Sequence, residues 1–302
     1  MILIDAHADT LYQMAEKPGI EYDLSLERLR RGGVSLQVLA LFTGTSPDPQ
    51  AVAALFQRML QARLMLLEDG WIQADDPSEA VSGCMRFMLS IEGCEIFEKG
   101  LEVISEYRRH GVRMAALTWN HENRLGTPAC INQQDSLKPY GLKAVKEMQR
   151  LGIAVDVSHL NIPGFYDVLK KTDIPPLASH SCCRSLRDHP RNLTDRQLKD
   201  LFASGGYVGV NFYPDFLVDE GSTCNIDTVI DHIDRMHQMG GAGMVGFGSD
   251  FDGIENKPDG LDNPEDFPAL IDGLLQRGFT DEDVKAVAGL NFLQYYRRIS
   301  HM

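Results

Sequence analysis

The chain has 302 residues, 43% of them hydrophobic, enough to bury one large core or two small ones. Its formal net charge of −14 argues against a general binder of nucleic acid or of an anionic membrane surface, and leaves a small substrate open, because such a substrate senses only the local field of its site. There is no basic leader with an apolar core, no apolar stretch long enough to span a bilayer, and no Cys-x-x-Cys pair among Cys84, Cys94, Cys130, Cys182, Cys183 and Cys224; the expectation is a cytoplasmic protein with reduced thiols, no membrane association and no structural zinc knuckle.

Strand-like and helix-like segments alternate along the chain. The first strand, about 2–7, carries Ile2-Leu3-Ile4 and runs into His7-Ala8-Asp9. Residues two apart on a strand point the same way, so His7 and Asp9 leave its end as a nitrogen and an oxygen ligand facing one point. Strand two is expected at 34–42 and a helix at 51–68. Strand three, 87–93, ends in Glu92-Gly93, and a helix over 98–110 stops at Gly111. Strand four, 114–119, leads into a long loop over 120–138 with His121, Glu122, Asn123 and Arg124. A helix at 139–151 finishes at Gly152 before strand five, 154–159, where Ala154-Val155-Asp156-Val157-Ser158 runs into His159. After a helix at 162–171, strand six, 175–181, runs into His180.

Thr194 and Asp195 then begin a helix over 194–204 as N-cap and acidic first turn, with Gly205-Gly206 at its end. Strand seven, 207–212, a helix at 225–239 and strand eight, 244–251, follow, and strand eight ends in Asp250-Phe251-Asp252-Gly253. The stretch 252–268 reads as a loop, and amphipathic helices at 265–277 and 280–298 close the structure.

Eight βα units without a polar linker predict a (β/α)8 TIM barrel of the metal-dependent hydrolase type, one catalytic domain over 1–302. An open doubly wound sheet is the runner-up. It supplies no reason for ionisable groups at the ends of five separated strands to converge, whereas a barrel rings all eight strand ends around one mouth. Glu92 is assigned as the bridge between two metals, since each carboxylate oxygen can take one ion. His7 and Asp9 complete one metal's protein ligands, and His159 and His180 the other's. A bridging water or hydroxide fills the gap, and Asp250 accepts the water's proton and passes it to the leaving amine. The nitrogen and oxygen donors suit Zn2+, two per chain, and also Co2+ or Mn2+.

These motifs resemble the membrane (renal) dipeptidases, the zinc dipeptidase branch of the amidohydrolase superfamily. The resemblance runs from Asp5-Ala6-His7-Ala8-Asp9 through Ile91-Glu92-Gly93, Asp156-Val157-Ser158-His159, Ser179-His180-Ser181, Arg191-Asn192-Leu193, Val210-Asn211-Phe212-Tyr213 and Gly248-Ser249-Asp250-Phe251-Asp252-Gly253 to Gly289-Leu290-Asn291-Phe292-Leu293. It implies a binuclear zinc centre bridged by Glu92, and hydrolysis of dipeptides with tolerance of a D-residue at the C-terminal position. It also implies a soluble, unanchored protein that often forms homodimers. By resemblance, His7, Asp9, Glu92, His159 and His180 are metal ligands, Asp250 is the catalytic Asp, Arg191 clamps the substrate's terminal carboxylate, and Tyr213 belongs to the substrate site. Two positions depart from the family's pattern. Trp119 follows Leu117-Thr118 where a His often contacts the substrate, leaving His121, two residues on, to face the same side if the strand continues. Phe216 replaces a polar aromatic.

Two rival functions remain. One is another amidohydrolase reaction, such as N-acyl-D-amino acid deacylation or lactone or phosphoester hydrolysis. The absence of Lys from Met114-Ala115-Ala116-Leu117-Thr118-Trp119 ranks it second, because a bridging carboxylated Lys would sit there. The other is a non-catalytic barrel scaffold, which would not need all five ligands and Asp250. His110, His189, His232, His237 and His301 read as surface residues, Cys94 as packing and Asp156 as a core or ligand-supporting group; Asp252 competes with Asp250 for the catalytic role, the motif position favours Asp250, and Asp252 then caps the following turn. Cys182 and Cys183 adjoin His180 but lie outside the metal pattern, and a nucleophile there would need an activating base and an oxyanion site.

Overall fold

The fold is described from a computed structural model covering residues 1–46 and 48–300. Pro47, His301 and Met302 lie outside the described residues, and with them the expectation for His301. Eight parallel strands close into a barrel in sequence order: β1 (Ile4–Asp5), β2 (Leu36–Phe42), β3 (Arg86–Glu92), β4 (Val112–Ala116), β5 (Ala154–Asp156), β6 (Leu177–Ala178), β7 (Tyr207–Val210) and β8 (Val245–Phe247). Closure is made by Asp5 pairing with Phe247, which removes the open-sheet alternative.

Around the barrel lie α1 (Thr10–Glu16), α2 (Leu26–Arg31), α3 (Pro49–Glu68), α4 (Glu102–His110), α5 (Pro139–Arg150), α6 (Ile162–Lys171), α7 (Asp195–Ser204), α8 (Pro214–Leu217), α9 (Ile226–Met236), α10 (Phe267–Arg277), α11 (Asp281–Lys285) and α12 (Asn291–Ile299). The expected stop signals operate as capping chemistry. Gly111 and Gly205 end α4 and α7 in the left-handed conformation, and Thr194 with Gln197 forms a capping box at the start of α7. The helix expected over 280–298 is α11 and α12 joined by a π-helical turn over Ala286–Leu290. The short helices α1, α2 and α8 span too few residues for a 3.6-residue period to be read.

Apart from β3, which keeps its expected length, the ladders are shorter than the strands expected from the sequence, and at β1 and β5 buried aspartates show why. Asp156, the last residue of β5, accepts hydrogen bonds from the backbone N–H of Ser158 (2.9 Å) and of Ser179 (3.1 Å). Asp5, the last residue of β1, accepts from the backbone N–H of Ser249 at 2.8 Å. Side chains thus satisfy backbone groups where strand pairing stops, so the chain can leave the sheet without burying orphan donors.

Two apolar layers surround the sheet. A broad one packs the outer strand faces against the helices, and a smaller one fills the lower lumen with Ile4, Leu36, Val38, Met88, Met114, Leu177 and Tyr207. Helix α12 plugs the end where the strands begin. Phe292 packs edge-on to Tyr207 at 5.2 Å, Tyr295 donates to the Pro175 carbonyl at 2.8 Å, and Asn291 donates to the Val245 carbonyl at 2.9 Å. The lumen is therefore closed at its base, and access is left at the opposite mouth.

Gly141, in the first turn of α5, packs against the loop after β4. A Cβ there would lie 2.0 Å from the Leu125 carbonyl oxygen. Alanine in a helix ordinarily gains up to about 1 kcal/mol over glycine. Here the clash is with backbone, so Gly141→Ala is expected to cost about 1–3 kcal/mol and lower the melting temperature by several degrees. Thermal denaturation of the two proteins checks this.

Candidate metal centre

All five residues expected as ligands converge at the barrel mouth and are buried. His7 and Asp9 meet as predicted, with Nε2 and Oδ2 3.6 Å apart. The strand itself ends at Asp5, and the two residues are held by backbone bonds to the last turn of the barrel, Ala8 bridging Phe251. The Glu92 carboxylate sits between two groups of nitrogens. Its Oε2 is 3.5 Å from His7 Nε2, while its Oε1 is 2.7 Å from His159 Nε2 and 3.4 Å from His180 Nε2. The His7 and His180 rings stack at 3.9 Å. Asp250 Oδ1 also stands 3.6 Å from His7 Nε2, so Asp250 completes a second cluster with His7 and Asp9 that could hold an ion.

The histidines and Asp250 are oriented from behind. Ser179 Oγ lies 2.7 Å from His180 Nδ1 and itself donates to Asp156, so one buried carboxylate organises the segments that carry both His159 and His180. Asn120 Oδ1 lies 3.1 Å from His159 Nδ1, and Asn211 donates to Asp250 Oδ2 at 2.9 Å. Asn120, Asn211 and Ser179 were not singled out in the sequence, although each adjoins or lies within a recognised motif. Asp156 has the supporting place expected of it.

Charge is out of balance in this cluster. Burial pushes Asp250 up to about 7 and Asp9 up to about 6, with neighbouring carboxylates adding to both. Burial alone would lower His7, but the adjacent Glu92 and Asp9 carry it well above its ordinary value. Burial raises Glu92 too, yet the His7 charge and the adjacent His159 and His180 nitrogens hold it well below the carboxylate range. Burial together with Arg191 lowers His159 to about 4. Both ring nitrogens of His7 and Asp9 Oδ1 are buried without a hydrogen-bond partner. Orphaned nitrogen and oxygen donors in an excess of carboxylates fit divalent cations.

A cavity of about 300 Å³ opens onto the cluster, lined by Asp9, Glu92, His159 and Asp250 at its floor. One wall is aromatic: Tyr12 meets Phe42 at 4.9 Å and Phe42 meets Trp119 at 4.8 Å. Facing it are Tyr213 and Phe216 with Arg191, whose guanidinium lies 5.4 Å over the Phe216 ring. Arg191 is buried, with Nη2 2.9 Å from His159 Nε2 and Nη1 unpartnered. His121 does not share the wall. Strand β4 ends at Ala116, so two-residue alternation no longer applies, and Asn120 lines the cavity while His121 sits edge-on to Trp119 at 5.2 Å.

One surface expectation is corrected. His232 is buried, accepting from the Cys183 backbone N–H at 3.0 Å and bonding the Leu217 carbonyl through Nε2 at 3.0 Å. Its polar type is explained by those two backbone groups, which nothing local in the sequence announces. His110, His189 and His237 are half-buried. Cys94, Cys182 and Cys183 are buried, and burial pushes their thiols up, Cys183 to about 12, away from nucleophilic duty.

The sequence profile of the membrane dipeptidase family (peptidase family M19) matches residues 1–302. An uncharacterized dipeptidase of Schizosaccharomyces pombe is 31% identical over 332 residues, covering 98% of this chain and 80% of that one. Among solved structures, the metallopeptidase called dipeptidase AC superposes with a TM-score of 0.91 at 25% identity, covering 99% of this chain and 98% of the other. A metallopeptidase from Rhodobacter sphaeroides, solved with a phosphinate mimic of the dipeptide L-Ala-D-Ala, shares the fold with a TM-score of 0.89 at 24% identity and 99% coverage of both chains.

Cation binding here must displace protons from Asp250, Asp9 and His7, whose pKa values are all raised. Raised values mean that protons compete with the cation more strongly as pH falls. Affinity for a divalent cation is therefore expected to weaken steadily from pH 8 through about 7 and about 6, with net proton release on binding. Calorimetric titration of metal-free protein in buffers of different ionisation enthalpy measures both; an affinity flat across that range would contradict it.

Proposed function

The chain belongs to the membrane dipeptidase family, and from that premise we propose that it is a zinc-dependent dipeptidase with a binuclear centre, cleaving L-Xaa-L-Xaa and L-Xaa-D-Xaa dipeptides. The observation that carries this reading is Glu92, whose two oxygens face two different nitrogen groups, as a bridging carboxylate requires. His7 and Asp9 would hold one ion, His159 and His180 the other, and Glu92 both. Bound in such a set, the cations supply an acidified water and a polarised carbonyl. Zinc is the first choice for these nitrogen and oxygen donors, with cobalt or manganese as alternatives.

Asp250 carries the proton. Its carboxyl sits at about 7, with Oδ2 fixed by Asn211 and Oδ1 turned to the cluster. It accepts a proton from the attacking water as the new C–O bond forms, and returns it to the amide nitrogen as the C–N bond breaks. Arg191 offers its free Nη1 edge to the substrate's terminal carboxylate, a charge-assisted pairing in a buried place. That fixed anchor beside the cluster limits the substrate to dipeptide length. The Tyr12–Phe42–Trp119 wall and Tyr213 contact the side chains. A cytoplasmic location belongs to the same proposal, supported by six unpaired cysteines.

A dipeptide panel with L-L and L-D members, assayed on metal-reconstituted protein of measured metal content, tests the proposal. Cleavage at about two ions per chain supports it; two ions and no cleavage overturns it, in favour of acyl-amino acid or lactone hydrolysis. Asp250→Asn is expected to lower kcat by about 10²- to 10⁴-fold with metal retained, and Glu92→Gln to lose metal and activity together. Arg191→Lys should raise KM by about tenfold or more while kcat changes less, since a guanidinium fork becomes a point charge. Trp119→His should redistribute rates across the panel without altering metal content.

A further inference from the structure

Among the described residues, the non-glycine residues with left-handed backbone are Asp250 (φ 68°) and Asp252 (φ 63°), two residues apart in one turn. This conformation costs an L-residue about 1–2 kcal/mol and persists where the surroundings enforce it. We propose that Asp252 is a positioning residue, which with Asp23 forms a clasp that holds the turn and so aims Asp250 at the metal cluster; the inference rests on the role of Asp250 proposed above.

The clasp is reciprocal. The Asp252 backbone N–H donates to Asp23 Oδ2 at 2.9 Å, and the Asp23 N–H donates back to Asp252 Oδ1 at 2.6 Å. Thr10 Oγ1 donates to Asp252 Oδ2 at 2.6 Å, and the Leu24 N–H reaches the same oxygen at 3.4 Å. Gln13 in α1 donates to the Asp252 carbonyl at 2.7 Å, and Lys257 pairs with Asp23 Oδ1 at 2.6 Å. Asp252 borders the cavity, but both of its carboxylate oxygens are taken by donors that do not line it, which makes Asp252 a fastening.

The fastening reaches the site from two sides. Thr10 directly follows Asp9, so the same contact ties the ligand segment to the turn. Gly253 shows how close the turn comes: a Cβ there would lie 2.3 Å from Asp9 Oδ2 and 2.5 Å from Asp250 Oδ1. A small shift of this backbone changes the separation of those two carboxylates. The turn is also tied to the site by the Asp250 N–H to the His7 carbonyl at 3.2 Å, the Asp9 N–H to the Phe251 carbonyl at 3.0 Å and Asn211 to Asp250 Oδ2, and is closed within itself by the Gly253 N–H to the Asp250 carbonyl at 3.0 Å; none of these bonds engages Asp252.

Asp23 lies outside the cavity lining, so it tests the clasp without touching the chemistry. Asp23→Ala, Asp252→Ala and Asp252→Asn are compared with the parent protein for kcat, KM, metal per chain, and hydrogen–deuterium exchange over residues 249–255 of the metal-free protein. Asp23→Ala and Asp252→Ala are expected to lower kcat by about 10- to 100-fold, the scale of a misplaced catalytic group, with KM and metal content held, and to speed exchange in the turn. Asp252→Asn should recover part of kcat, because its Oδ1 still accepts the Asp23 N–H and asparagine tolerates left-handed backbone. Unchanged kcat in Asp23→Ala, or a fall in kcat that merely follows lost metal or a raised KM, overturns the proposal. Should the parent protein cleave no dipeptide, the proposed activity fails, and exchange alone decides the clasp: faster exchange in Asp23→Ala supports it and unchanged exchange refutes it.

Discussion

The constraint on which this site depends is the burial of Glu92 with Asp9 and Asp250 around one imidazole. Carboxylates taken out of water and crowded together cannot all ionise unless positive charge is supplied. Within the protein that charge comes from His7, at the cost of a ring whose two nitrogens find no hydrogen-bond partner. A fold that retains such an arrangement carries a local destabilisation, and the remainder of the molecule offsets it. The lumen below is filled and sealed by α12, far from the mouth where the unbalanced charge sits.

Buried aspartates do the complementary structural work. Asp156 accepts from two backbone amides and two serine hydroxyls, and through Ser179 it turns the His180 ring. Asp5 accepts from the backbone and hydroxyl of Ser249 and from Gln37. Each replaces ladder bonds at a strand end, and by ending the ladder it frees the following residues to lean over the barrel axis. The short strands and the convergence of His159, His180 and Asp250 thus have one cause.

Much of this is legible in the sequence because apolar runs and their terminal ionisable groups are local signals. Eight runs in alternation with helical segments specify the barrel, and His7, Asp9, Glu92, His159, His180 and Asp250 each stand where a run ends. Side-chain partners distant in sequence are not legible. Nothing near His232 shows that it will meet Cys183 and Leu217, and nothing near Asp23 shows that it will exchange amides with Asp252. Strand ends blur for the same reason: Trp119 and His121 share a parity that matters only while pairing lasts, and pairing stops at Ala116 because of contacts made elsewhere.

Under the proposed function, Arg191 would link recognition to the charge constraint. Of the described residues lining the cavity it is the one guanidinium or ammonium, set against Asp9, Glu92, Asp250, Asp252 and Glu255. In a low-dielectric pocket its attraction for a substrate carboxylate is opposed by that excess of acid. Whatever neutralises the acid cluster therefore also strengthens the grip of Arg191 on an anionic group, without any movement of the guanidinium. With the proposed roles, substrate binding and readiness for chemistry would then rise together, since both would depend on the charge state of the same carboxylates. A net charge of −14 over the whole chain works in the same direction: a substrate carboxylate would gain little from the protein's overall field, and under the proposed function its affinity would have to come from short-range pairing at Arg191.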